Sequence, residues 1–145
     1  EIEYKKVIDT ILQLIEIKQE DAKFNKLFNR AFDYEKLSFE MNMTINFFLE
    51  KYSKISAEYS QDKEFRKEIE KICTELEKSP RVLCHRDLHS RNVMVKNGKQ
   101  YLIDFQDARM GSPFYDLASL LEDCYFALGS NLRERLYNYY EKDPI

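Results

Sequence analysis

Asn97-Gly98 stands between two short β-prone runs, Val93 to Val95 and Tyr101 to Ile103. This dipeptide is the strongest short-range hairpin signal, because both central positions of a type I′ turn need positive φ. The turn sets the register of the strands that flank it. Asn92 therefore falls at the start of one strand and Asp104 at the end of its partner, both away from the turn. Upstream, the apolar run Val82 to Cys84 stops at His85, and a polar loop carries Asp87, His89, Arg91 and Asn92. Three oxygen-bearing side chains and two basic ones are thereby gathered at one end of a hairpin.

The residue types point to phosphoryl transfer. The Asn92 carboxamide and the Asp104 carboxylate are hard ligands suited to Mg²⁺, which keeps several waters and shares its shell with substrate phosphates. Asp87 can accept the proton of an attacking hydroxyl. His89 and Arg91 can offer donors to a transferring phosphoryl group, and positioning with charge neutralisation is most of what that reaction asks of a protein. His85 to Asn92 also fills the kinase catalytic-loop pattern H-R-D-L-x-x-x-N, and Asp104-Phe105-Gln106 stands where kinases carry D-F-G. With its second His two residues after the Asp, the stretch resembles the aminoglycoside phosphotransferase and choline kinase family. Ile103 to Ala108, Gly111, Pro113, Tyr115-Asp116-Leu117 and Leu120-Leu121 are similar to that family's bacterial kinases of N-acetylmuramate and N-acetylglucosamine, which act on the anomeric hydroxyl. One departure is Gln106 in place of the D-F-G glycine, which removes the backbone freedom used for the activation flip of many protein kinases.

Composition bounds the alternatives. The chain has 145 residues and a net charge of −3, so there is no global case for nucleic acid or an anionic membrane. Cys73, Cys84 and Cys124 are odd in number and lack a C-x-x-C, which favours reduced thiols and a cytoplasmic location. No segment has the roughly 18 uninterrupted apolar residues of a membrane span. A start without Met or a signal sequence reads as the interior of a longer chain. Zinc is disfavoured: Cys84, His85 and His89 have no further ligand at metal spacing, and a Cys84–His85 thiol pair would point to opposite faces of a strand.

With three Gly and three Pro, turns are few and helices should be long. Tyr4, Val7, Ile8, Ile11, Leu12 and Ile15 step as an amphipathic helix over 4–18, and 21–32 repeats the pattern more weakly. From 35 to 52 the stripe Leu37, Met41, Ile45, Phe48 and Tyr52 has a second beside it, Phe39, Met43 and Phe47, which predicts a central, buried helix. Ser60 and Asp62 suit the start of the next helix, with Phe65, Ile69, Ile72 and Leu76 on its face, ended by Ser79-Pro80. Ser112-Pro113 opens a helix running through Leu117, Leu121, Tyr125 and Leu128 to a closing Gly129. Asn131 and Glu134 form a capping box for the last one.

The expected fold is mostly α with a small β-hairpin: a protein-kinase-like C-terminal lobe forming a single domain over 1–145. Its parts are helices over 1–79, the catalytic loop and metal-site hairpin over 81–107, and helices over 113–141. The resemblance implies ATP and Mg²⁺ as cofactors, Asp87 as base, Asn92 and Asp104 as metal ligands, and His89 and Arg91 near the phosphoryl group. It implies a structural role for Asp116 as a holder of the catalytic-loop backbone, while His85, at the end of an apolar strand, reads as a buried structural histidine. Arg86 is expected to pair with a nearby acid. Gly98, Gly111 and Gly129 make no glycine-rich loop and no strand carries Val-Ala-x-Lys, so the chain itself holds no nucleotide-binding residues. The missing N-lobe is then a partner, the chain alone is inactive, and its uncovered face invites self-association. The acceptor is a small-molecule hydroxyl, an amino sugar by the nearer resemblance, with an aminoglycoside or choline/ethanolamine as alternatives. A non-catalytic binding module of pseudokinase type is the alternative of another class.

Overall fold

The computed structural model describes residues 1–18, 28–53 and 57–142. They fall into two compact units, one made of 1–30 and 80–145, the other of 31–79.

In the first unit, helix α1 (Ile2–Glu16) buries Val7, Ile8 and Ile11, the positions its apolar period selects. The C-terminal part of the chain adds α5 (Tyr115–Leu121) and α6 (Ser130–Tyr140). Leu117, Leu120, Leu121, Leu128, Leu136 and Tyr140 join the α1 residues in one core. Leu88 belongs to that core too, fully buried between Asp87 and His89. A loop that bears charged side chains is thus nailed to the apolar interior through its own middle.

Two small antiparallel ribbons frame this loop. β2 (Val93–Lys96) pairs with β3 (Lys99–Leu102) in the register Val93↔Leu102 to Lys96↔Lys99. Asn97 and Gly98 have φ of 53° and 72°, as the two central positions of a type I′ turn require. β1 (Val82–Cys84) pairs with β4 (Arg109–Gly111), a strand the sequence pattern does not announce. The Met110 N–H donates to the Arg30 carbonyl at 2.8 Å, so β4 has a partner on its other edge as well.

The second unit holds α2 (Tyr34–Met43), α3 (Ala57–Ser60) and α4 (Lys63–Glu77). Asp33 caps α2 by accepting from the Lys36 N–H, and Asp62 caps α4 by accepting from Phe65, each at 2.9 Å. Between α2 and α3, Thr44–Tyr52 continues as a π-helix.

Several expectations are corrected. The two-striped helix is not buried all round: Phe39, Met43, Phe47, Phe48 and Tyr52 are exposed, and only Leu37 and Ile45 are buried. The i→i+5 bonding of the π segment widens each turn, so three- and four-residue steps no longer return to one face. On α4 the fully buried side chain is Cys73, with Ile72 and Leu76 exposed. The helix expected over 21–32 lies outside the described residues up to 27, and 28–32 are turn and extended chain. The helix after Pro113 ends at Leu121, well short of Gly129. The Asp123 carboxylate accepts the Tyr125 N–H at 2.7 Å, an Asx turn that competes with helix continuation. Gly129 is instead the N-cap of α6 with φ −65°, and no side chain caps that helix, so the Asn131–Glu134 box is not formed.

Candidate active site

The loop segment 85–92 is held from three sides. Buried Asp116, at the start of α5, accepts the His85 N–H at 2.6 Å through Oδ2 and the Arg86 N–H at 2.9 Å through Oδ1. The His85 ring donates from Nε2 to the Ile103 carbonyl at 2.9 Å, tying the loop to the end of β3. Asp123 takes the Ser90 N–H at 2.7 Å. With Leu88 in the core, little freedom remains. Arg86 has φ +80° and Asp104 has φ +68°, both strained for non-glycine residues, and both flank the same cleft.

The two buried acids carry opposite perturbations. Burial pushes the Asp116 carboxyl above its ordinary range, outweighing the two N–H donors that pull the other way. Burial also works to raise Asp123, but the donors at Ser90 and Tyr125 win and hold it below the usual range. By linkage, the Asp123 contribution to stability is present above its unfolded pKa and lost as pH falls through the depressed folded value. The Asp116 contribution has the reverse sign, declining as pH rises through its raised folded value. Replacing Asp116 by Ala leaves two N–H groups without their acceptor, at about 1–3 kcal/mol for each that stays buried. Urea unfolding of Asp116→Ala should show a midpoint well below the parent's; an unchanged midpoint would remove Asp116 from its anchoring role.

A cleft of about 330 Å³ opens beside this loop, lined by Arg86, Asp87, Asp104, Gln106, Asp107 and Tyr115. Asp87 is exposed there, and Arg86 Nη1 stands 3.6 Å from Asp107, the local acid partner expected for it. The Asn92 amide nitrogen donates to the Asp87 carbonyl at 2.8 Å and to its Oδ2 at 3.2 Å. Ile103 N–H donates to the Asn92 carbonyl at 3.0 Å, so the ladder continues one pair past Val93↔Leu102 and sets Asp104 next in line. His89 Nε2 lies 3.3 Å from Asp87 Oδ1 and 3.4 Å from Asn92 Nδ2. That nitrogen donates to the carboxylate when protonated and accepts from the amide when not.

Asp87 and Asp104 thus line the cleft, while Asn92 and His89 stand behind it, each in contact with Asp87. Arg91 is not among the residues that line the cleft; its guanidinium carbon sits 3.9 Å from the centroid of the Tyr125 ring. The Cys84 thiol is buried, and burial pushes its pKa up to about 12, which leaves no thiolate for nucleophilic chemistry.

Metal chemistry fits the donor set. Three carboxylates face the cleft against one arginine, and among the described residues Asp104 has no hydrogen-bond or ion-pair partner for its carboxylate. The Asn92 amide nitrogen points at Asp87, which leaves the amide oxygen as the group a cation would use. No group of three His, Cys, Asp or Glu forms a closed metal cage among the described residues. Mg²⁺ held partly by phosphates does not need one.

Asp107, Tyr115, Asp123 and Tyr125 were not singled out as site residues by sequence reasoning. Asp107 and Tyr115 stand two and eleven places after Asp104 on the cleft wall. Asp123 carried a signal in being a poor helix former inside an otherwise apolar helical run.

The sequence profile of the phosphotransferase enzyme family (APH) matches residues 13–144. The N-acetylmuramate/N-acetylglucosamine kinase of Neisseria meningitidis serogroup B is 32% identical over 94 residues, covering 65% of this chain and 28% of that protein. Among solved structures, ADP-bound aminoglycoside phosphotransferase APH(2'')-Ib superposes with a TM-score of 0.56 at 19% identity, over 97% of this chain and 47% of that one. The gentamicin complex of APH(2'')-IIa gives 0.55 at 23% identity with the same coverage. The chain therefore spans about half the length of these structures, and the likeness to them is one of fold.

Proposed function

Since the chain belongs to the phosphotransferase enzyme family, we propose that it is the catalytic lobe of an ATP- and Mg²⁺-dependent kinase that phosphorylates a hydroxyl of an amino sugar. The observation that supports this best is that Asp87, bonded to Asn92 at the base of the hairpin, shares a carboxylate-rich cleft with Asp104. Asp87 accepts the proton of the acceptor hydroxyl as that oxygen bonds to the γ-phosphorus and the bond to the ADP oxygen breaks. His89, already within reach of Asp87, offers a ring N–H to the oxygens of the group in flight. Asn92 and Asp104 would hold Mg²⁺, which supplies charge neutralisation on the nucleotide phosphates.

The amino-sugar assignment draws on the Neisseria relative, whose matched segment is 32% identical. The ATP-phosphate cradle is supplied by residues outside these 145, which carry three glycines and no cradling spacing. Without it the isolated chain does not turn over ATP, and the exposed Phe39, Met43, Phe47 and Tyr52 give it a surface for self-association. We place the enzyme in the cytoplasm, where its nucleotide is; no helix among the described residues is long and apolar enough to cross a membrane.

The test supplies the full-length protein with ATP, Mg²⁺ and, in turn, N-acetylmuramate, N-acetylglucosamine, choline and an aminoglycoside. An N-acetylated sugar should give the highest kcat/KM and yield a 1-phosphate. A tenfold or greater lead for choline or the aminoglycoside, about 1.4 kcal/mol in transition-state binding, overturns the substrate assignment.

A further inference from the structure

Arg91 is exposed, and among the described residues its guanidinium has no carboxylate partner. It is nevertheless held in place, by stacking 3.9 Å above the Tyr125 ring. The platform is itself fixed: Asp123 accepts the Tyr125 N–H through one oxygen and the Ser90 N–H through the other, each at 2.7 Å. One buried acid therefore ties the ring to the loop that carries the arginine. Tyr125 also meets His89 edge-on, with ring centroids 4.8 Å apart, and His89 in turn reaches Asp87. A chain of ring contacts thus links the guanidinium to the base.

We propose that Arg91, seated on Tyr125, selects acceptors that carry a carboxylate. The inference rests on the kinase reading above and deepens it by naming the charge of the acceptor. A guanidinium stacked on a ring keeps its planar fork of N–H donors available at the edge, the geometry that takes a carboxylate bidentately. Because it does not line the cleft that holds Asp87, it meets a substituent of the acceptor and not the hydroxyl that reacts. Because it is held by an aromatic face instead of an acid, its charge is not neutralised by the protein. The same charge repels polycationic acceptors, so selection works by attraction and by repulsion together.

N-acetylmuramate and N-acetylglucosamine separate the variables, since the first carries a lactyl carboxylate that the second lacks. Calorimetric or NMR titration of the full-length protein should show N-acetylmuramate binding at least tenfold more tightly. Arg91→Met should bring the two affinities together. Tyr125→Leu should do the same by removing the platform, and Tyr125→Phe should preserve the preference, which a merely structural role for the hydroxyl would not. Equal affinities in the unmodified protein, a preference that survives Arg91→Met, or binding of neither sugar would overturn the proposal. Phosphorylation of N-acetylglucosamine by the full-length protein without an Arg91-dependent preference overturns the selector alone. Failure to phosphorylate either sugar overturns the function on which it rests.

Discussion

Replacing Asp104 by Ala in the full-length protein should lower kcat by at least the 10²–10⁴-fold typical of losing a general base. The carboxylate faces the cleft with no protein partner among the described residues, so its removal takes away little folding energy and, on our reading, a metal ligand. Backbone conformation could obscure this result. Asp104 has φ +68°, where Ala costs about 1–2 kcal/mol. Asp104→Gly removes the same carboxylate while relieving that strain. It should be at least as stable as the parent and as inactive as the Ala variant. Near-normal activity of either variant at ordinary Mg²⁺ would show that Asp104 is not a metal ligand.

Asp87→Asn should lower kcat by about 10²–10⁴-fold with little change in KM, because a carboxamide cannot take the hydroxyl proton. The substitution is conservative for the fold. Asp87 is exposed, and the Asn oxygen can still accept from the Asn92 amide as Oδ2 now does at 3.2 Å. Thermal unfolding should therefore coincide with the parent within about 0.5 kcal/mol. A kcat loss under about tenfold would point to a base elsewhere, with His89 the next candidate.

Legibility in the sequence followed the range of the forces involved. The Asn97-Gly98 turn was readable because its φ requirement is local, and from it came the placing of Asn92 beside Asp104. Helix α1 was readable because one face, from Tyr4 to Ile15, packs on the core. Asp116 could be named only through resemblance, since its bonds to His85 and Arg86 cross 30 residues or more of sequence. β4 stayed hidden because Arg109-Met110-Gly111 has no alternation; it is a strand because β1 needed a partner. The end of α5 was missed for a related reason. Apolar spacing through Tyr125 and Leu128 argues for helix, but Asp123 is drawn away by Ser90, and no periodicity records that. The π segment defeats a reading that assumes one turn length throughout.

The hairpin also sets a rule of parity for change over evolutionary time. Its turn lies at the far end from Asn92 and Asp104, so residues can be added there only in matched numbers on both strands. A matched addition lengthens the ribbon outward and leaves the open end untouched. One unmatched residue in either strand shifts the pairing by a step and sends every side chain beyond it to the opposite face. Asp104 would then turn from the cleft, and Ile103 would take its place in a nest of carboxylates. The tip of this ribbon can therefore grow, shrink and diversify in sequence, while the difference in length between its two arms stays fixed.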